Sequence, residues 1–325
     1  MIAQFLAIAG GFVLLAWSAD RFVQGASAVA WNLNMSPLII GLTIVSLGTS
    51  APEIFVSGMA AWQGNAGLSV GNTLGSNIIN TTLILGVTAV IMPLNVQSSI
   101  VRRELPILLL VMVYVLLLLF DGNLDRKDGT LLLAGMVALV SWITWLGTQT
   151  RATPDPISEE FAEKVPTHLP MGKALMLLLL GSILLLVSSR LLVWGAVSVA
   201  LALGVSDLVI GLTVVALGTS LPELAATIMS ALKQVHGIAI GNIIGSNLYN
   251  LLAVLCLPGL LDPGPFDPIV LARDYPVLIG LTVVLFLMAY GLRGPGRITR
   301  IEGGLLVLAF VAYQTLLYFG EIMPH

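Results

Sequence analysis

Charge is what this sequence has least of. Lys, Arg, Asp and Glu make up 10% of its 325 residues, 14 basic and 17 acidic, where an ordinary globular chain carries about a quarter. A soluble domain of this length needs far more polar surface, so a cytosolic enzyme and a secreted module are excluded. The net charge of −3 is small and scattered, which leaves no footprint for nucleic acid or another polyanion. Cysteine is nearly absent as well. Cys256 stands alone, which excludes a disulfide framework and a thiolate metal cluster. No Lys or Arg precedes Arg21. The basic start of a cleaved signal peptide is therefore missing, and the first apolar stretch is expected to stay in the mature protein. What is abundant is apolar: 57% of residues are hydrophobic and the mean hydropathy is +1.00. This is the composition of an all-α polytopic membrane protein whose partner is the lipid bilayer, with no protein partner implied.

A membrane helix needs about 20 mostly apolar residues. Divided at turn residues and charges, the chain predicts ten spans, at 2–31, 37–61, 71–93, 104–120, 129–147, 172–203, 207–231, 240–261, 274–291 and 302–319. The first and sixth are longer than a bilayer requires and are expected to tilt or project. The stretch 148–171, with Pro154, Pro156, Pro166 and Pro170 and the acids Glu159, Glu160 and Glu163, reads as a solvated linker too short for a regulatory domain. Ten spans put both termini on one face. Loops on that face hold Arg126, Lys127 and Arg273. Loops on the other hold Arg102, Arg103, Arg151, Lys164, Lys173, Lys233, Arg293, Arg297 and Arg300. Basic residues favour the cytoplasmic side, so both termini are expected outside.

Shifted by 170 positions, the sequence matches itself. Ser36-Pro-Leu-Ile-Ile-Gly-Leu-Thr-Ile-Val-Ser-Leu-Gly-Thr-Ser-Ala-Pro-Glu53 falls on Ser206-Asp-Leu-Val-Ile-Gly-Leu-Thr-Val-Val-Ala-Leu-Gly-Thr-Ser-Leu-Pro-Glu223, with 13 of 18 positions identical. Gly71-Asn-Thr-Leu-Gly-Ser-Asn-Ile-Ile-Asn80 falls on Gly241-Asn-Ile-Ile-Gly-Ser-Asn-Leu-Tyr-Asn250, with six of ten identical. Arg103 falls on Arg273 and Pro106 on Pro276. Each copy, 1–147 and 172–325, holds five spans. An odd number makes the second copy enter from the opposite face, so the repeats are inverted about an axis in the membrane plane. In transporters of this kind the site lies at the repeat interface near the midplane.

A carboxylate at the bilayer centre costs about 2.5–3.5 kcal/mol on the insertion scale. Glu53 and Glu223 lie deep in spans, at equivalent positions in the two copies. Ser46, Ser50 and Glu53 form one helical stripe with Thr49 beside it, and Ala216, Ser220 and Glu223 repeat it with Thr219. Pro52 and Pro222 lack an N–H and clash with the carbonyls of Gly48 and Gly218. Each helix should break there and free carbonyl oxygens, which membranes tolerate where they line a cavity. The second motif adds Ser76 with Asn80 and Ser246 with Asn250, each pair one turn apart. Asn77 and Asn247 read better as ties that hold broken helix ends together than as ligands. The donors are all oxygen, with two negative charges. That suits Ca²⁺, which takes 6–8 oxygens at about 2.3–2.6 Å, and Na⁺, but not Zn²⁺ or Cu²⁺. Two carboxylates balance one Ca²⁺, two Na⁺ or two protons, so exclusive occupancy gives exchange.

The paired motifs, over nearly the whole chain, resemble the alpha repeats of the cation/calcium exchanger superfamily, in particular its sodium/calcium exchanger branch in compact prokaryotic form. The resemblance implies ten spans, inverted topology, outside termini and Ca²⁺ exchange by alternating access. It implies Glu53 and Glu223 as central ligands, hydroxyl or backbone oxygens from Thr49, Ser50, Thr219 and Ser220, backbone carbonyls from Ser46 and Ala216, and Ser76, Asn80 and Ser246 to complete the set. Exchangers of this type often carry Asp where this chain has Asn250. That departure leaves Ca²⁺ in place and opens the counter-ion to either Na⁺ or H⁺.

The resulting expectation is a secondary antiporter exchanging Ca²⁺ for Na⁺, not an enzyme, with no cofactor. Ca²⁺/H⁺ antiport is the alternative. A cation channel lined by Glu has no selectivity-loop pattern to support it. A hydrolase using Ser50 or Ser220 lacks the activating base a serine nucleophile needs. Asp20, Arg21 and Arg190 read as interface anchors. Glu104, Asp128, Asp274 and Glu302 read as acids that open helices, and His236 as a solvated loop residue.

Overall fold

The computed structural model describes residues 2–96, 103–149, 169–203, 216–290 and 296–322. Most of the linker and the start of the seventh predicted span lie outside them. The described elements are almost entirely helical. In chain order they are α1 (Ile2–Leu33), α2 (Pro37–Thr49), α3 (Ala51–Trp62), α4 (Ala66–Ile91), α5 (Leu105–Leu119), α6 (Arg126–Gln149), α7 (Met171–Ala202), α8 (Ala216–Thr219), α9 (Leu221–Leu232), α10 (His236–Leu261), α11 (Val270–Tyr290) and α12 (Arg300–Ile322). Seven of them are long and apolar enough to cross a membrane, and α2 with α3 form a further span bent by 47°. Helices α5 and α9 are apolar but shorter.

The helix ends show where local chemistry extends the predicted spans. Helix α4 starts at Ala66 rather than 71, because the Asn65 side chain accepts a hydrogen bond from Leu68 N–H (3.1 Å) and satisfies one of the first-turn donors. Gly64, at φ +76°, supplies the left-handed turn before it. Helix α6 starts at Arg126. Asp125 accepts from the N–H groups of Lys127 and Asp128, while Asp128 accepts from that of Asp125, a reciprocal cap. Glu302 accepts from the Thr299 N–H and hydroxyl in the same way at α12. Helix α11 starts at Val270, so Asp274 sits inside it rather than opening it. Asp274 accepts from Arg273 (2.6 Å) and from the Tyr313 hydroxyl (3.0 Å). His236, read as solvated, is buried as the first residue of α10.

Burial sorts the helices into two shells. The most apolar windows of α10 and α4 are 83% and 72% buried, whereas α1, α6, α7, α11 and α12 bury only 22–33%. The outer helices present Phe12, Leu117, Trp145, Leu179 and Leu308 outward, as a lipid-facing surface must. Helices α1 and α7 lie against each other through small residues. A Cβ on Gly11 would stand 2.7 Å from Leu192 Cγ, and one on Gly25 would strike Leu178 N. One on Gly181 would stand 2.7 Å from Phe22 Cα, and one on Gly195 2.8 Å from Ile8 Cγ1. The pairing runs antiparallel, and it is reciprocal under the 170-residue shift. Gly11 with Leu192 answers Gly181 with Phe22, and Gly25 with Leu178 answers Gly195 with Ile8. Such self-complementarity is what a two-fold axis produces.

Short antiparallel pairs fasten the loops. Leu94–Asn95 (β1) pairs with Arg297–Ile298 (β4), and Asn123–Leu124 (β2) pairs with Gly264–Pro265 (β3). The shift carries β1 onto β3, and each pair joins a strand of one copy to a strand of the other.

Candidate cation site between the two copies

The chain breaks where the two prolines predict it. Ser50 leaves the helical conformation at φ −81°, ψ 6°, and Ser220 does so at φ −89°, ψ 5°. Pro52 and Pro222 then occupy the first turns of α3 and α9, where a missing N–H costs nothing. Glu53 and Glu223 share those first turns, at the positive end of a helix dipole. Both carboxylates are 1% exposed.

The two breaks face one another. The Ser50 hydroxyl donates to Glu223 Oε1 (3.2 Å), and the Ser220 hydroxyl donates to Glu53 Oε1 (3.3 Å). Each glutamate is thus held by the serine of the other copy, through one oxygen. The second oxygens, Glu53 Oε2 and Glu223 Oε2, are buried and accept no hydrogen bond from the described residues. Asn77 Oδ1, Asn80 Oδ1, Ser246 Oγ and Asn250 Oδ1 are in the same condition, and Asn250 Nδ2 has no acceptor. A buried acceptor without a partner is costly, and most native structures avoid one. Six such oxygens on the repeated motifs leave the site short of a positively charged ligand.

Helices α4 and α10 close the site from the other side. Asn77 Nδ2 donates to the Asn247 carbonyl (3.2 Å), Asn80 Nδ2 to Asn247 Oδ1 (3.2 Å), and Asn247 Nδ2 to Thr81 Oγ1 (2.9 Å). Asn77 and Asn247 therefore bridge α4 and α10 across the two copies, where the sequence reading placed them between broken helix ends. Starting at Asn80 and Asn250 each helix opens into a π-helical turn, Asn80–Ile84 and Asn250–Val254, a distortion frequent at functional sites. Replacing Asn247 with Ala removes two bonds and leaves the buried Asn80 amide and Thr81 hydroxyl without those partners. The expected cost is about 1–3 kcal/mol per orphaned group, read as a fall in melting temperature of the detergent-solubilised protein. Gln63→Ala, at an exposed turn, should leave it unchanged.

Of the predicted site residues, Ser46, Thr49, Ser50, Glu53, Ser76, Asn80, Ser220, Glu223, Ser246 and Asn250 are all buried. Thr219 is half-buried in α8, and the side chain of Ala216 lies outside the described residues. Two details differ from the sequence reading. The carbonyls freed by the prolines are taken up by α7: the Ser189 hydroxyl donates to the Gly218 carbonyl (2.6 Å) and that of Ser182 to the Gly48 carbonyl (3.5 Å). The Ser46 carbonyl already accepts from Ser50 N–H (2.9 Å) and the Thr49 hydroxyl (3.3 Å). Side-chain oxygens, more than freed carbonyls, are the available donors.

Two site residues escaped the sequence reading. Asn242 is fully buried. Its Oδ1 accepts from the Thr49 hydroxyl (3.0 Å) and its Nδ2 donates to Thr227 Oγ1 (3.0 Å). Asn72, its repeat counterpart, donates to Ser57 Oγ (2.9 Å). Their identity under the 170-residue shift was the available signal. Asp20, read as an anchor, also has a partner: Lys233 Nζ lies 2.7 Å from its Oδ1.

The donors are hard oxygens. No group of three or more His, Cys, Asp or Glu side chains suited to a metal occurs among the described residues. The site instead sets two carboxylates among neutral hydroxyls and amides, a donor set for alkali or alkaline-earth cations. Apolar outer helices around broken inner helices with such a centre define an ion-handling membrane protein. The sodium/calcium exchanger protein family model matches residues 3–145 and again 173–319, and the chain belongs to that family. It is 48% identical over 319 residues to CaxA of Alkalimonas amylolytica, covering 98% of this chain and 99% of that one. It is 30% identical to the sodium/calcium exchanger MaX1 of Methanosarcina acetivorans, covering 97% and 99%. A solved structure of the sodium-calcium exchanger NCX_Mj superposes with a TM-score of 0.83 at 31% identity, over 97% of this chain and 99% of that one.

Proposed function

We infer that the protein is a secondary antiporter exchanging Ca²⁺ for Na⁺ by alternating access. In this reading it has ten spans in two inverted five-helix repeats, 1–147 and 172–325, joined by a cytoplasmic linker at 148–171. It sits in the plasma (inner) membrane with both termini outside. The cation is held by Glu53 and Glu223, with side-chain oxygens of Thr49, Ser50, Ser76, Asn80, Thr219, Ser220, Ser246 and Asn250 and backbone oxygens near Ser46 and Ala216. One observation carries this most strongly. Each glutamate is held by the serine of the opposite copy, and its second oxygen is left unsatisfied in a buried centre. A site built half from each repeat changes access when one repeat moves against the other. The reciprocal glycine contacts of α1 with α7 support the two-fold axis, and the strand pairs join the two copies. Relatives named as sodium/calcium exchangers support the ions.

The neutral Asn250 favours one further reading, Ca²⁺/H⁺ antiport, because it offers one fewer charge to a second metal cation. Proteoliposomes distinguish the two. Ca²⁺ uptake is measured with an outward Na⁺ gradient, then with an outward proton gradient, at a fixed membrane potential. Uptake with Na⁺ alone is expected. Uptake with protons alone replaces Na⁺ by H⁺, and uptake with neither gradient present indicates a channel.

A further inference from the structure

We propose that Asp20 and Lys233 form a latch that keeps the cytoplasmic approach to the site shut in the conformation seen here and parts when the site opens inward. This rests on the alternating-access reading above, which places Lys233 on the cytoplasmic face.

The two copies are alike in sequence but not in posture. Helix α1 packs along α9, the half-helix that leads from Glu223 to Lys233. Its counterpart α7 makes no comparable packing along α3, the half-helix that leads from Glu53 to Gln63. The charged residues follow the same division. Asp20 on α1 meets Lys233 Nζ at 2.7 Å, at the far end of α9. Arg190 on α7, its equivalent under the 170-residue shift, lies 5.5 Å over the Phe55 ring, near the start of α3. Phe55 corresponds to Ala225, and the helical path from Ala225 to Lys233 is about 12 Å. The two long helices thus engage the two half-helices at different points, and α1 covers the Lys233 end.

In an inverted pair, exchanging the postures of the copies gives the opposite-facing state. That exchange draws Asp20 back toward Ala225 and carries Arg190 toward Gln63, the equivalent of Lys233. Gln63 is neutral, so no ion pair forms there, and the latch belongs to one state alone. The glycine contacts and the bond from Asn32 Nδ2 to the Leu169 carbonyl (2.9 Å) fasten α1 to α7, so drawing α1 off Lys233 moves both. Arg21, the cation beside Asp20, is held by the Trp17 ring and Gln24 and does not stand in for Lys233. The paired side chains are 33% and 35% exposed, which makes the bridge weak enough to break in every cycle.

The test uses the full chain in oriented proteoliposomes, with the KM for Ca²⁺ read separately on the external and cytoplasmic faces. An apparent affinity scales with the fraction of protein facing that side. Asp20→Asn and Lys233→Gln are each expected to raise the ratio of external to cytoplasmic KM about two- to fivefold, the range open to a partly exposed ion pair. The charge exchange, Asp20→Lys with Lys233→Asp, should bring the ratio back. A purely structural role would weaken transport from both faces alike and leave the ratio unchanged, which overturns the proposal. The second measurement joins Asp20→Cys to Lys233→Cys with a short, reducible bis-methanethiosulfonate cross-linker. Cys256, the chain's other thiol, is buried. Gradient-driven Ca²⁺ uptake should stop on cross-linking and return on reduction. Uptake that continues in fully cross-linked protein overturns the latch and leaves antiport intact, whereas absence of gradient-driven uptake in the unsubstituted chain overturns the antiport reading itself.

Discussion

Glu53→Gln and Glu223→Gln are each expected to lower Ca²⁺ exchange by about two orders of magnitude without unfolding the protein. Each substitution removes one of two charges that face a divalent ion in a buried centre. Truncating one partner of a buried charge pair costs about 2–5 kcal/mol, and 1.4 kcal/mol is a factor of ten. Gln keeps the volume and still accepts the hydrogen bond from Ser220 or Ser50 that holds Oε1 in place. It also removes a buried charge, which relieves the empty site. The melting temperature without Ca²⁺ should therefore hold or rise, while its increase on adding Ca²⁺ should disappear. Transport retained in both variants would remove the glutamates from the mechanism. The near-symmetry of the two contacts makes a further demand: the two variants should fail to a similar extent.

The second large effect is expected from Gly241. Helices α2 and α10 cross so closely that a Cβ there would lie 2.6 Å from the Leu38 carbonyl and 3.0 Å from Gly41 Cα. Both neighbours are backbone, so no rotamer change relieves the contact. Overpacking in a core costs about 1–3 kcal/mol even when side chains can move. Asn242 adjoins this crossing and holds the Thr49 hydroxyl, so displacing α10 also displaces the wall of the site. Gly241→Ala should lose transport and lower the melting temperature. Gly280→Ala, where a Cβ meets nothing within 4 Å, is the matched control and should do neither. Equal behaviour of the two variants would mean that the close crossing is not required.

The central pair of this site was readable in the chain before any fold, because the repeat marks it. Glu53 and Glu223 are rare charges in an apolar sequence, and both fall in the same hexapeptide pattern. The break at Ser50 and Ser220 follows from proline chemistry, which is local. Other features depend on partners far away in the chain. Ser189 reaches Gly218, Ser182 reaches Gly48, and Asn242 reaches Thr49, none of which a one-dimensional pattern encodes. The early starts of α4 and α11 hinge on a single side-chain cap and on a π-helical turn, Val270–Asp274. Apolar periodicity is blind to both. His236 was misread because a polar residue beside Lys233 looks like a loop, whereas the left-handed turn at Gln234 (φ 63°) lets α10 begin at once. Asp20 and Lys233 stand more than two hundred residues apart, and only the packing of α1 beside α9 joins them.

The most direct test of a cation centre shared by the two copies is diffraction from crystals soaked in Ca²⁺, read through the anomalous signal of the metal. The account predicts one main peak between α3 and α9, within about 2.3–2.6 Å of Glu53 Oε2 and Glu223 Oε2, with Ser76, Asn80, Ser246 or Asn250 oxygens around it. A main peak that touches neither glutamate, or that lies within one copy alone, would contradict it.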